Sequence, residues 1–306
     1  MSKFINPLTD YGWKAIFGRE TSKPVLIGIL NALLEGEKVI EDLVFLDKEQ
    51  QPEMSGGRMY VYDIYCRTNT GEHIIIEMQR ESQVYFKDRA LFYTAAAIVN
   101  QGRPGDWKYQ FDAVYGVFFL DFRLSDSHGE VVTDVIMADR KTGEMFNDKL
   151  RQIFISLPNF TLQEDECKTQ SERWIYVLKN METFDHLPFT EDIPVMRELE
   201  KIIAVTSMDP EQHGLYQASL KAYRDNYAVL SYKVEEGIAI GEARSEAKVK
   251  AAEERADKAE AVAKAKAEAQ REQDKLATAR TLKASGVSTE IIMHATGLLR
   301  EAIEQL

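Results

Sequence analysis

The stretch 60–81, YVYDIYCRTNTGEHIIIEMQRE, decides how this chain is read. Two hydrophobic runs flank Asn69, Thr70 and Gly71, a turn in which Gly71 can take positive φ. The runs 59–68 and 72–80 are therefore predicted as paired strands. In a hairpin centred on Thr70, residues whose numbers sum to about 140 face each other. Asp63 then lies opposite Glu77, with Cβ atoms roughly 5 Å apart. Side chains alternate along a strand, so Gln79 shares the face of Glu77, together with Ile75 and His73. Two carboxylates this close repel each other unless a cation lies between them. A hard divalent ion such as Mg²⁺ or Mn²⁺, held by carboxylate and carbonyl oxygens, resolves the conflict. The plainer alternative is a pair of exposed acids on an edge hairpin. Against it, the IIIEMQ run is apolar on both faces, the mark of a buried strand.

Outward from this hairpin, PLTDYGWKAIFG and TSKPVLIGILNALLEG read as two short helices. Asn6 or Thr9 caps the first, with Gly18 as its stop; Ser22 caps the second, which Gly36 ends. A first strand is expected within 39–49 and a helix over 86–102. Strands follow over 111–122 and 130–140, and 148–160 is a further apolar stretch ending as a strand. Three helical segments come next, at 165–183, 193–206 and 210–231. This order implies an α/β or α+β domain over 1–230. His73, close to the turn, reads as structural.

The composition then changes. Residues 231–284 are mostly Ala, Glu, Lys and Arg without a proline, as in a long solvated helix or coiled coil. Residues 230–282 carry 11 basic and 11 acidic side chains, so the acidity of the chain lies elsewhere. Its candidate core positions are mostly Ala, with only Val234, Ile238, Val249, Val262 and Leu276 larger. Such a thin seam makes a weak coiled coil, and the segment reads as a helical stalk able to pair with a second copy. In the tail, 285–306, Gly286 and Gly297 bracket a short helix in a pattern resembling a helix-turn-helix. Glu301 and Glu304 on its last helix would repel phosphates, which favours a small protein-binding or stalk-capping module.

The chain has 306 residues and a formal net charge of -12, which argues against a protein that coats nucleic acid non-specifically. It does not exclude a nuclease, because a bound cation adds local positive charge. No run of about 18 apolar residues predicts a membrane span. The first residues lack the apolar core of a signal peptide. Two cysteines without a metal-type spacing suit a reducing cytoplasm, where the protein is expected. The scattered histidines give no HxxxH pair, so zinc is not expected.

Asp63 followed by Glu77-Met78-Gln79 on the next strand resembles the PD-(D/E)xK nuclease motif, with Gln79 where that superfamily usually has lysine. The ordered set PLTDYGWKAIFG, EMQ, YFKDRALFYTAAAI, EEGIAIGEA and the GVSTEIIMHATGLLREAIEQL tail resembles the Rpn family of recombination-promoting nucleases and putative transposases. The resemblance implies a mixed sheet flanked by helices, DNA as partner and Mg²⁺ or Mn²⁺ as cofactor. It implies Asp63 and Glu77 as metal ligands, the Met78 backbone carbonyl as a third, and Gln79 in the lysine's place. Asp10 is either a further aid to metal or water positioning or only a helix cap. Arg89 and Tyr93, four apart on the next helix, either contact phosphate, brace the carboxylates or form a surface pair. Two functions follow: a metal-dependent DNA endonuclease linked to recombination or a mobile element, or a catalytically weak nuclease fold acting in DNA binding or assembly.

Overall fold

The computed structural model describes residues 2–50, 60–106, 108–124 and 128–306. Residue 59, where the first strand of the hairpin was expected to begin, lies outside them. The chain divides into two compact units, Met1–Asn226 and Tyr227–Leu306.

In the first unit, α1 (Asp10–Phe17) starts where the Thr9 hydroxyl accepts a 3.0 Å hydrogen bond from the Gly12 N–H. α2 (Lys23–Leu33) follows, with Pro24 in its first turn. The strands are then β1 (Leu43–Phe45), β2 (Glu49–Gln50), β3 (Tyr60–Val61), β4 (Ile64–Thr68) and β5 (His73–Gln79). α3 (Phe86–Val99) leads to β6 (Val114–Leu120), β7 (Val132–Ala138) and β8 (Met145–Ser156). The helices α4 (Gln170–Asn180), α5 (Val195–Ile203) and the first part of α6 (Pro210–Ala284) complete the unit.

Six strands form one mixed sheet in the order β1-β4-β5-β6-β8-β7, while β2 and β3 make a separate two-stranded ladder. β5, β6 and β8 run parallel, with α3 as the crossover from β5 to β6 and β7 lying in chain order between β6 and β8; β1, β4 and β7 are antiparallel to their neighbours. The main core lies on one face, where Ile64, Ile74, Ile76, Val117 and Ile155 meet apolar side chains of α1, α2, α4 and α5. α3 covers part of the other face through Ala90 and Ala97. It comes close because residue 116 is glycine: an added Cβ would stand 2.8 Å from the Thr94 methyl. The fold is thus the α+β, mixed-sheet architecture expected.

Three local expectations need correction. The strand expected over 39–49 is only Leu43–Phe45, with Glu49–Gln50 diverted to the small ladder. The first strand of the hairpin is interrupted at Tyr62 and Asp63. The helix expected to stop at 231 continues to Ala284, because neither a proline nor a left-handed glycine intervenes.

The second unit is the remainder of α6 with α7 (Thr289–Thr296) and α8 (Arg300–Glu304). Gly286 and Gly297 take φ of +76° and +70° and turn the chain, so that Ala279, Ile292, Leu298 and Ile303 form a small core. Val234, Ile238, Val249 and Val262 on the long helix are exposed. Among the described residues no helix is long and apolar enough to cross a membrane.

Candidate active site

The β4–β5 hairpin turns at Gly71, which has φ +107°, and pairs Ile64 with Ile76. The next position along would pair Asp63 with Glu77, but Asp63 lies outside β4. The chain leaves the ladder here because the Tyr62 N–H donates to the Lys48 carbonyl, 2.9 Å away, on the side of the small ladder. The Tyr62 hydroxyl donates to the Tyr93 carbonyl of α3 at 3.0 Å, anchoring the break.

A reciprocal exchange replaces the missing rung. The Asp63 N–H donates to Glu77 Oε1 at 3.0 Å, and the Met78 N–H donates to Asp63 Oδ2 at 2.9 Å. Each carboxylate is thereby oriented by the backbone of the opposite strand. In a strand, the N–H and C=O of one residue point to the same side, so the Met78 carbonyl also faces Asp63. Glu77 is only 4% exposed and Asp63 is half-buried.

Burial raises the proton affinity of both acids. Glu77 is pushed up to about 8 by burial and then by the Asp63 charge, against the Asp63 N–H and Arg89. Asp63 is also raised, by burial and the charge of Asp10, against the Met78 N–H, Lys14 and Arg80.

Arg89 on α3 closes one side. Its guanidinium donates to Gln79 Oε1 at 2.8 Å and to Gln83 Oε1 at 3.1 Å, and stands 3.7 Å from Glu77 Oε2. It also lies over the Tyr93 ring, 5.3 Å from the centroid. The Gln79 amide donates to the Glu81 carbonyl at 3.0 Å, so both of its ends are held. Asp10, at the start of α1, pairs with Lys14 at 2.8 Å. A hollow of about 210 Å³ opens among Asp10, Trp13, Asp63, Met78, Gln79 and Arg89. It lies at the carboxyl end of β5, the edge where open α/β sheets place their ligands.

The structure therefore brings Asp10, Asp63, Met78, Gln79 and Arg89 to one hollow, with Glu77 bonded behind Asp63. Tyr93 does not line it and instead supports Arg89 and Tyr62. His73 sits at the far end of β5 against the Tyr65 hydroxyl, 2.6 Å away. A larger hollow of about 940 Å³ lies at that end, where Arg67 and Asp112 pair at 2.7 Å and no crowded carboxylates occur among its lining residues. Arg80, Glu81 and Gln83 also line the smaller hollow and were not singled out in the sequence. Their position directly after the EMQ strand was the available signal.

The donor set suits a hard divalent cation. Among the described residues no group of three or more His, Cys, Asp or Glu side chains converges for a metal. An ion here would rest on two carboxylates, a backbone carbonyl and water, the sparse oxygen set that Mg²⁺ accepts.

No curated protein and no solved structure matches the chain. A family model does, over residues 7–233, spanning α1 to the early part of α6 and thus the whole mixed sheet with its carboxylate pair. This chain belongs to the PD-(D/E)XK nuclease family transposases.

Proposed function

We propose that the protein is a divalent-cation-dependent DNA endonuclease that hydrolyses phosphodiester bonds, with a role in recombination or a mobile element. The observation that carries this reading is the reciprocal Asp63–Glu77 pair, buried, crowded and adjoining an open hollow. Asp63, Glu77 and the Met78 carbonyl would hold Mg²⁺ or Mn²⁺. Such a cation supplies Lewis acidity, acidifying water and offsetting charge that develops on the scissile phosphate.

The protein's own contribution is orientation and charge. The backbone N–H groups of Asp63 and Met78 fix one oxygen of each acid; Asp63 lines the hollow, and the second oxygen of Glu77 stands 3.7 Å from Arg89, with which a cation would compete. Arg89 fixes the Gln79 amide and supplies positive charge that Gln79 lacks relative to the family's usual lysine. A phosphate entering the hollow competes with the Glu81 carbonyl for the Gln79 amide donor. Asp10 adds negative charge beside Asp63 and favours a cation there.

The test is nicking of supercoiled plasmid by purified protein with Mg²⁺, Mn²⁺ or EDTA, with Asp63→Ala in parallel. Metal-dependent nicking that vanishes in the variant supports the reading; wild-type-like cutting by Asp63→Ala removes it. One observation favours the second reading, a weak or inactive nuclease fold acting in DNA binding or assembly. Gln79 stands at the lysine position with both amide ends engaged inside the protein. That reading expects DNA binding indifferent to Mg²⁺ and no cleavage by folded wild type.

A further inference from the structure

A second hollow, of about 290 Å³, lies beside the first, formed by the β5–α3 loop with Phe122 and Leu124 beyond β6. Its floor is apolar: Phe86 and Leu124 are buried, and the Phe86 and Phe122 rings meet edge to face at 5.6 Å. Its rim is polar, with Ser82, Gln83, Lys87 and Asp88. The lip carries two large apolar side chains in solvent, Val84 at 92% and Tyr85 at 73% exposure. These two neighbours make a small apolar patch at the edge of the hollow.

Three features select the occupant. Gln83 lines both hollows and accepts from Arg89, so whatever sits in the second is next to the carboxylates. Arg80 and Arg89 line the first hollow and Lys87 the second, three cations able to meet a phosphate backbone among the acids Asp10, Asp63, Glu81 and Asp88. An apolar floor with a donor-and-acceptor rim matches a flat heteroaromatic ring with polar edges. A base inside a duplex has no free face to offer, so the ring must be unstacked.

We propose that this hollow receives an unpaired nucleobase adjacent to the scissile phosphate, with Tyr85 stacking on it. This inference rests on the nuclease reading, and it makes distorted or partly unpaired DNA the preferred substrate over uniform duplex.

The test uses the full chain carrying Asp63→Asn and two labelled duplexes of one sequence, one fully paired and one with a single unpaired 2-aminopurine. Anisotropy should show about tenfold tighter binding of the bulged duplex, the size of one base–aromatic stack, with 2-aminopurine fluorescence quenched. Adding Tyr85→Ala or Val84→Ser, both at exposed positions tolerant of change, should bring the ratio close to one. Equal affinity for the two duplexes, or a preference that survives both substitutions, overturns the proposal. Wild-type cleavage separates it from its premise. Metal-dependent cutting without bulge preference removes the base site and leaves the nuclease. A substitution-sensitive bulge preference without metal-dependent cutting does the reverse, and no binding to either duplex removes both.

Discussion

Two buried glutamates stand at opposite ends of β5 and meet opposite fates. Glu72, at the turn, receives Lys38 and the hydroxyls of Thr68 and Thr70. Burial works to raise its pKa, but Lys38 and the two hydroxyls outweigh it and hold the group down to about 2. Glu77, five residues on, faces another carboxylate and is pushed up to about 8. The two ends of β5 thus hold one acid whose charge the fold has satisfied and one whose partners, the Asp63 N–H and Arg89, do not offset burial and a neighbouring carboxylate. A purely structural acid resembles the first. The second is the kind of acid that the cation site proposed above requires.

The largest expected effect falls at the Glu77 end. Asp63→Asn keeps the shape and one acceptor, but should lower metal-dependent nicking about a thousandfold or more, measured by plasmid relaxation. Full activity in that variant would erase the contrast.

At the satisfied end, Glu72→Gln should cost about 2 kcal/mol at pH 7, read by urea denaturation, because Lys38 is left half-buried without its partner. The sign follows from the depressed pKa. The folded value near 2 lies below the ordinary 4.5, so this stabilisation is present above 4.5 and lost as pH falls towards 2. The penalty of the substitution should fade over that window.

Glu77→Gln should act the other way in metal-free buffer. A raised acid costs stability as pH climbs from 4.5, where the unfolded chain ionises, to about 8, where the folded one does. The neutral amide should therefore melt higher than wild type at pH 9, by roughly 5 °C, and show no advantage below pH 4.5. A constant difference across pH would mean that Glu77 is not the group under strain.

The smallest effect concerns Arg89. Arg89→Ala should slow nicking about tenfold while leaving the Asp63–Glu77 exchange in place, and should loosen Gln79. Arg89→Lys restores charge without the fork, so partial rescue would separate charge from geometry.

Much of this was legible in the sequence because a hairpin is local. Period-two alternation and a turn at Gly71 fixed the register that faces Asp63 with Glu77, and the structure has Ile64 opposite Ile76 as that register requires. What stayed hidden depends on residues far apart in the chain. Tyr62 leaves the ladder because of Lys48 and Tyr93, and nothing in the run YVYDIY announces either partner. Glu72 begins the second predicted strand with nothing to set it apart, yet Lys38 from before β1 decides its charge. Tyr93, expected with Arg89 to contact phosphate, brace the carboxylates or form a surface pair, packs against Arg89 and Tyr62.

The sequence by itself determined the alternating strands, the family motif and the apolar periodicity, since these rest on backbone geometry and neighbours a few residues away. It also carried the absence of any stop between 210 and 284, and the change in composition near 231 lies close to where the two compact units part, between Asn226 and Tyr227, within one continuous helix. Only the tertiary structure decided which buried acid is neutralised by its neighbours and which stays crowded by another carboxylate. A side chain's pKa is set by every group that reaches it through a low-dielectric interior, and that company is assembled by folding, not by order along the chain.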